Sequence, residues 1–176
     1  LAQSMAGKPH DTNKCNNTVN PHTFNIAAEM LKAGVDFDFL NNMLFKRFSE
    51  SRMRLMGHLL KDSMKVDQNS QASCMVLTLE EKKDFEIQDG DTEGFVNLTL
   101  MIKDVEVSAL FSESEDFIKV SLRSKGSISV NALAKSYFNG GGHERAAGGR
   151  LYIPIGQVRD YFRESLEQFL LNNRRI

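Results

Sequence analysis

The ten residues Gly140-Gly141-Gly142-His143-Glu144-Arg145-Ala146-Ala147-Gly148-Gly149 constrain this chain more than any other segment. Glycine has no side chain to bury and loses the most backbone freedom on ordering, so three in succession do not serve packing. They let the main chain turn tightly and approach another group closely. An imidazole follows at once, then small residues that suit a helix packed close to its neighbour. Read as a helix start, the run combines orphan N–H groups, the positive end of a helix dipole and His143. That combination suits an anion, most simply a phosphate. A side chain at Gly141 is then expected both to strain the run and to block the ligand.

The chain before the run falls into two kinds of pattern. Residues 1–20 are polar, with few apolar side chains, and read as loop or poorly ordered tail. Asn20-Pro21 is an N-cap with proline at the first helical position, followed by Phe24, Ala27, Ala28 and Leu31 at helical spacing and a stop at Gly34. Asp36 caps a second helix, with Phe37, Leu40, Leu44 and Phe48 along one side. Ser49 caps a third, with Met53, Met56, Leu59 and Leu60 as its apolar stripe. From about residue 64 the period shortens. Ala72 to Leu79 reads as a strand, and Thr78 with Glu81 as a capping box for a short helix. Asp89-Gly90-Asp91 is a turn. Val105, Val107, Ala109 and Phe111 alternate, as do Ile118, Val120 and Leu122, with Ser112 to Asp116 as a hairpin tip. Ser129 caps a helix through Phe138. Leu151 to Ile153 is a short closing strand, and Pro154 to Leu171 a last helix that turns Val158, Phe162, Leu166, Phe169 and Leu170 inward. The expected fold is α+β, a mixed sheet with flanking helices. Its expected division is a tail over 1–20, a helical connector over 21–63 and a domain over 64–176.

Charge narrows the ligand. The formal net charge is −1, so no global basic field exists of the kind that duplex-DNA binders use. Any nucleic-acid ligand is expected to be small or single-stranded and to bind locally. Cys15 and Cys74 show no paired spacing, which makes a reducing, cytoplasmic setting the default. No apolar run approaches about 18 residues and no signal core opens the chain, so no membrane partner is expected. The first residue is not Met, and the opening reads as that of a fragment.

Several blocks follow one another in a telling order: Asp91-Thr92-Glu93-Gly94-Phe95-Val96-Asn97, Ser121-Leu122-Arg123-Ser124, Val130-Asn131-Ala132-Leu133-Ala134, Phe138 to His143, and Ala146 to Gly149. With Ser49 to Gly57 before them, they resemble the DHH-associated C-terminal domain of DHH phosphoesterases. The nearest subgroup is the bifunctional oligoribonuclease and 3′,5′-bisphosphate phosphatase type, also described as exopolyphosphatase-related. The resemblance covers roughly residues 22–170. It implies a hydrolase whose N-terminal DHH domain holds two Mn²⁺ or Mg²⁺ ions, while the associated domain grips short RNA or nucleotide phosphates. It also allows a homodimer.

The sequence contains no Asp-His-His or Asp-His-Asp triplet, so no metal ion is expected on this chain, which by itself should bind substrate without hydrolysing it. Asp11-Thr12 stands near a family ligand motif, but Asn13 occupies the glycine position. His10, Asp11 and His22 are read as a solvated polar tail. His143 is assigned to a phosphate oxygen beside Gly140, Gly141 and Gly142, and in the assembled enzyme to charge on the scissile phosphate. Arg123 suits bidentate phosphate binding, the competing reading being a surface ion pair. Ser121 and Ser124 offer hydroxyls to the same oxygens. Asn131 either caps its helix or touches a base or ribose. Glu93, Gly94, Phe95 and Asn97 resemble a substrate-facing loop, with Phe95 equally readable as core. Arg52 and Arg54 read as a solvated helix face, with Arg52 kept open by the resemblance, and Arg174-Arg175 as an exposed tail. Two other functions stay open: a binding module for single strands or tRNA, and a fragment of a cyclic-dinucleotide phosphodiesterase.

Overall fold

The computed structural model describes residues 21–45, 48–88 and 90–173. The polar segment 1–20 with Cys15, His10 and Asp11, the cap at Asn20, the turn residue Asp89 and Arg174-Arg175 lie outside them. The chain forms two compact units, Leu1–Ser49 and Glu50–Ile176. The division falls earlier than the expected 63/64 boundary because the third helix sends Leu55 and Leu59 into the core of the second unit.

The described part of the first unit holds α1 (Pro21–Lys32) and α2 (Phe37–Phe45). Pro21 opens α1, where a missing N–H costs nothing. Gly34 ends the segment at φ +80°, a left-handed stop that glycine adopts without strain. Asp36 caps α2 as expected, its Oδ1 accepting from Phe39 N–H at 2.8 Å. Phe24 and Leu31 on α1 are exposed.

The second unit is built on one six-stranded sheet. Its elements are α3 (Glu50–His58, continued by one π-turn over Leu59–Ser63), β1 (Lys65–Asp67), β2 (Ala72–Leu77), α4 (Leu79–Asp84), α5 (Phe95–Leu98), β3 (Val107–Glu113), β4 (Ile118–Ser124), α6 (Val130–Tyr137), β5 (Gly141–His143), β6 (Ala146–Leu151) and α7 (Val158–Asn173). The strand order is β1-β2-β3-β4-β6-β5, with β2 and β3 parallel and every other pair antiparallel. The expected α+β class and mixed sheet are therefore both present.

Burial explains which strands read as continuous and which as alternating. One core lies under α6 and α7, where Val76, Phe111, Val120 and Leu122 meet Leu133, Phe138, Phe162 and Leu166. A second, smaller core on the opposite face joins Leu55, Leu59, Met75, Leu77, Phe95, Val96 and Leu110. Strands β2 and β3 are covered on both sides, so all six residues of β2 are buried and six of the seven in β3. Strand β4 is covered on one side, and its burial alternates along its length. The predicted caps at Thr78 and Ser129 hold. Thr78 Oγ1 accepts from Glu81 N–H at 3.2 Å while Glu81 Oε2 accepts from Thr78 N–H at 2.7 Å. Ser129 Oγ accepts from Ala132 N–H at 3.2 Å.

Three expectations are corrected. In the apolar stripe of α3 and its π-turn, Leu59, Met56 and Leu60 pack on the smaller core as expected, but Leu55 takes the place of Met53, which is exposed. The closing strand is Ala146–Leu151 rather than 151–153, since Ala147 and Leu151 are the positions that reach the main core. Most importantly, the glycine run does not start a helix. It forms a β-hairpin, with His143 paired to Ala146 and Gly141 to Gly148. The glycines are needed for close backbone approach. A Cβ at Gly140 would fall 1.9 Å from the Gly148 carbonyl oxygen, and one at Gly149 would fall 2.1 Å from that of Phe138. Gly141 is the roomy one: its nearest neighbours, on Asn131 and Lys135, would be 3.5 Å away. The strain expected at Gly141 therefore belongs to Gly140 and Gly149.

Candidate functional site

The smaller core covers only the β2 and β3 side of its sheet face. The rest of that face, across β4, β6 and β5, is open and forms a groove of about 790 Å³. Its floor carries very small residues, Ala146 and Gly148 on β6 and Gly141 on β5. One wall is the loop Thr92, Glu93 and Gly94 with Val96 of α5. Strand alternation supplies the polar side chains. With Val120 and Leu122 turned into the main core, Lys119, Ser121 and Arg123 turn into the groove.

The register arranges these groups in cross-strand rows. Ala146 pairs with His143 on one side and Arg123 on the other. Adjacent strands lie about 4.8 Å apart, so the Cα atoms of His143 and Arg123 are about 10 Å apart across one methyl group. The next row is Gly141, Gly148 and Ser121, and the third pairs Arg150 with Lys119.

Arg123 has the most telling environment. It is half-buried, and burial lowers its pKa. Its Nη1 donates to the Leu122 carbonyl at 2.9 Å, and among the described residues no carboxylate pairs with it. The surface ion pair is thus not its role in this structure. His143 is exposed at the groove edge.

The wall is fastened by Arg52. Its guanidinium donates to the carbonyls of Asp91, of Glu93 at 2.6 Å and of Gly90 at 3.3 Å, and lies 4.6 Å from the centroid of the Phe95 ring. Burial lowers its pKa most strongly, with Asp91 and Glu93 opposing. Arg52 is therefore no solvated helix residue, whereas Arg54, paired to Glu50 in the open, is one. Phe95 is 2% exposed and belongs to the core rather than to a ligand.

Of the expected site residues, the groove collects Arg123, Ser121, Gly141, His143, Glu93 and Gly94. It does not collect the others. Ser124 faces the other way, with its Oγ donating to the Ile128 carbonyl at 2.7 Å. Asn131 neither caps a helix nor reaches the groove; its Oδ1 accepts from Gly142 N–H at 3.0 Å and ties the hairpin to α6. Gly140 and Gly142 are closed in by neighbouring backbone. Asn97 is exposed outside the groove. The sequence expectations omit Phe117, Lys119 and Arg150, which line the far end. Stepping back by twos along β4 from Arg123 would have found Lys119 and Phe117. Among the described residues no group of His, Cys, Asp and Glu is placed to hold a metal ion, so they do not fit the ions that the resemblance implies. No helix among them is long and apolar enough to cross a membrane.

Comparison with known proteins places this architecture. Two bifunctional oligoribonuclease and PAP phosphatase NrnA proteins are similar. That of Thermus thermophilus is 31% identical over 131 residues, which is 74% of this chain and 38% of the relative. That of Bacillus subtilis is 28% identical over 122 residues, 67% of this chain and 37% of the relative. The chain thus spans less than two fifths of the length of either. The crystal structure of an exopolyphosphatase-related protein from Bacteroides fragilis superimposes with a TM-score of 0.88 at 39% identity, over 92% of this chain and 47% of that one. A pGpG-specific phosphodiesterase, PggH, from Vibrio cholerae shares the fold, at TM-score 0.51 and 16% identity over 86% of this chain and 51% of that one. The family model described as the DHHA1 domain matches residues 71–172, which carry all six strands but the first, and this chain belongs to that family.

Proposed function

We propose that the groove grips the phosphate of short oligoribonucleotides and nucleotide 3′,5′-bisphosphates, and that this chain is the substrate-binding part of a metal-dependent phosphoesterase. Arg123 carries the reading. A half-buried guanidinium without a carboxylate partner retains a desolvation cost that an incoming anion relieves. Nε, Nη2 and the second N–H of Nη1 of Arg123 are the donors left over from its bond to Leu122, and His143 supplies an imidazole N–H from the opposite side of Ala146. The small floor lets a phosphate approach the main chain of β6. In this reading the metal ions, Mn²⁺ or Mg²⁺, and water activation would be supplied by a DHH domain of the kind the resemblance implies. The activities named for the two NrnA relatives support this substrate class.

Calorimetric titration of a 5′-phosphorylated RNA dinucleotide tests the proposal. Arg123→Ala should weaken binding by about 1.5–3 kcal/mol, the scale of a hydrogen bond to a charged group. His143→Ala should weaken it as well. An unchanged dissociation constant in Arg123→Ala refutes the proposal. Dinucleotides and pentanucleotides should bind within a factor of about two of each other, since the phosphate grip is local. Affinity that climbs steeply with length and falls steeply with salt would instead identify a single-strand binding module.

A further inference from the structure

The far end of the groove is built differently from the phosphate end. Phe117, just before β4, lines it together with Lys119 and Arg150. The guanidinium carbon of Arg150 lies 4.6 Å from the centroid of the Phe117 ring. The backbone of Arg150 is pinned on both sides: its N–H donates to the Phe138 carbonyl at 2.7 Å, and its carbonyl accepts from Asn139 Nδ2 at 3.2 Å. The side chain of Arg150 is exposed, and among the described residues it has no carboxylate partner. The result is a flat cation fixed on an aromatic ring, with its other face toward the groove and solvent. Nucleobases stack on guanidinium planes and on aromatic rings alike.

Taking the phosphate-binding reading as given, we infer that Arg150 and Phe117 form a stacking platform for the second base of a short ligand, the one beyond the phosphate held at Arg123 and His143. The spacing supports this. Arg123 and Lys119 are four residues apart on β4, about 14 Å at strand rise, and Arg150 pairs with Lys119. An extended dinucleotide reaches that far from its 5′-phosphate, whereas the base of a mononucleotide does not. Phe117, Arg150 and the base then form three stacked layers. The platform makes the groove prefer a dinucleotide over a mononucleotide, and it adds nothing for bases further along because the groove ends there.

Three probes are titrated into the whole chain: 5′-phosphorylated diadenylate, the same molecule with its second base replaced by hydrogen, and AMP. The unchanged chain should bind diadenylate about tenfold more tightly than the abasic form, the scale of one stacked base. Arg150→Lys keeps the charge and removes the plane; Phe117→Leu keeps the apolar bulk and removes the ring. Both should bring the diadenylate-to-abasic ratio close to one, with affinity for the abasic probe and AMP retained. Equal affinity of the unchanged chain for both dinucleotides overturns the platform, and so does a ratio that survives both variants. Arg123→Ala should weaken all three probes together. If none of the probes binds the unchanged chain, the phosphate reading fails and the platform with it.

Discussion

Replacing Arg52 with alanine should loosen the wall of the groove and lower the stability of the whole second unit. The loss can be built from its contacts. The charge-assisted bond to the Asp91 carbonyl is partly buried, and a bond of this kind is worth about 1.5–3 kcal/mol. The bonds to Gly90 and Glu93 are exposed, and water replaces most of what they contribute. Stacking on Phe95 adds about 0.5–1 kcal/mol. The sum is about 2–4 kcal/mol, and for a unit of this size the melting temperature should drop by roughly 10 °C. Scanning calorimetry measures this directly. Hydrogen exchange at the Glu93 and Phe95 amides, which close the turns at Gly90 and Thr92, should accelerate in the same variant. Arg54→Ala is the internal comparison. Its ion pair with Glu50 has side chains 71% and 77% exposed, so its removal should change stability by less than about 0.5 kcal/mol. If both variants melt within about 2 °C of the parent, the account of Arg52 as the fastener of the wall is wrong.

Two further outcomes follow from the hairpin and from His58. Gly140→Ala should unfold or severely destabilise the domain, because its Cβ would sit 1.9 Å from a carbonyl oxygen, while Gly141→Ala should fold normally; equal melting temperatures for the two would refute the close-approach reading. His58 Nε2 lies 2.7 Å from Glu81 Oε1 and its Nδ1 lies 3.1 Å from Asp62 Oδ2. The Glu81 bond, aided by Asp62 and opposed by burial, raises the His58 pKa above the usual 6.5. Burial pushes Glu81 upward, but hydrogen bonds from His58 and Thr78 outweigh it and hold its pKa below 4.5. A raised histidine stabilises fully below its unfolded value and loses that contribution as pH climbs through its folded one. A lowered carboxylate does the reverse on the acid side. The stability gap between the parent and His58→Gln should therefore be widest between about pH 4.5 and 6.5 and should shrink at alkaline pH. A gap that grows above pH 8 would show that His58 is not held charged by its neighbours.

What the sequence made legible was mostly local. The capping box at Thr78 and Glu81, the caps at Asp36 and Ser129 and the alternation of β4 each depend on neighbours within four residues, and each is present. Arg123, Ser121 and His143 could be proposed because strand phase and residue type were readable. The glycine run misled in its secondary structure because a glycine stretch has no periodicity of its own. What decides between helix start and hairpin is the tertiary approach of Gly140 to Gly148 and of Gly149 to Phe138. Ser124 lies one step of strand phase from the residues that face the groove. Arg52 was hidden for another reason: its acceptors are backbone carbonyls 38 to 41 residues away, and carbonyls leave no mark in a sequence. Asn131 likewise spends its side chain on the hairpin's main chain.

The two margins of the sheet bear on how molecules of this chain meet one another. Both outermost strands, β1 and β5, are only three residues long. An unpaired strand edge is a template for another molecule's strand, and the hazard grows with its length and flatness. Here each edge offers a few N–H and C=O groups. One margin carries Lys65 and Asp67, whose charges resist apolar pairing, and the other is two glycines and a histidine, which provide almost no apolar surface to zip against. Edge-to-edge polymerisation of the sheet is blunted at both ends, by brevity and by the character of the side chains.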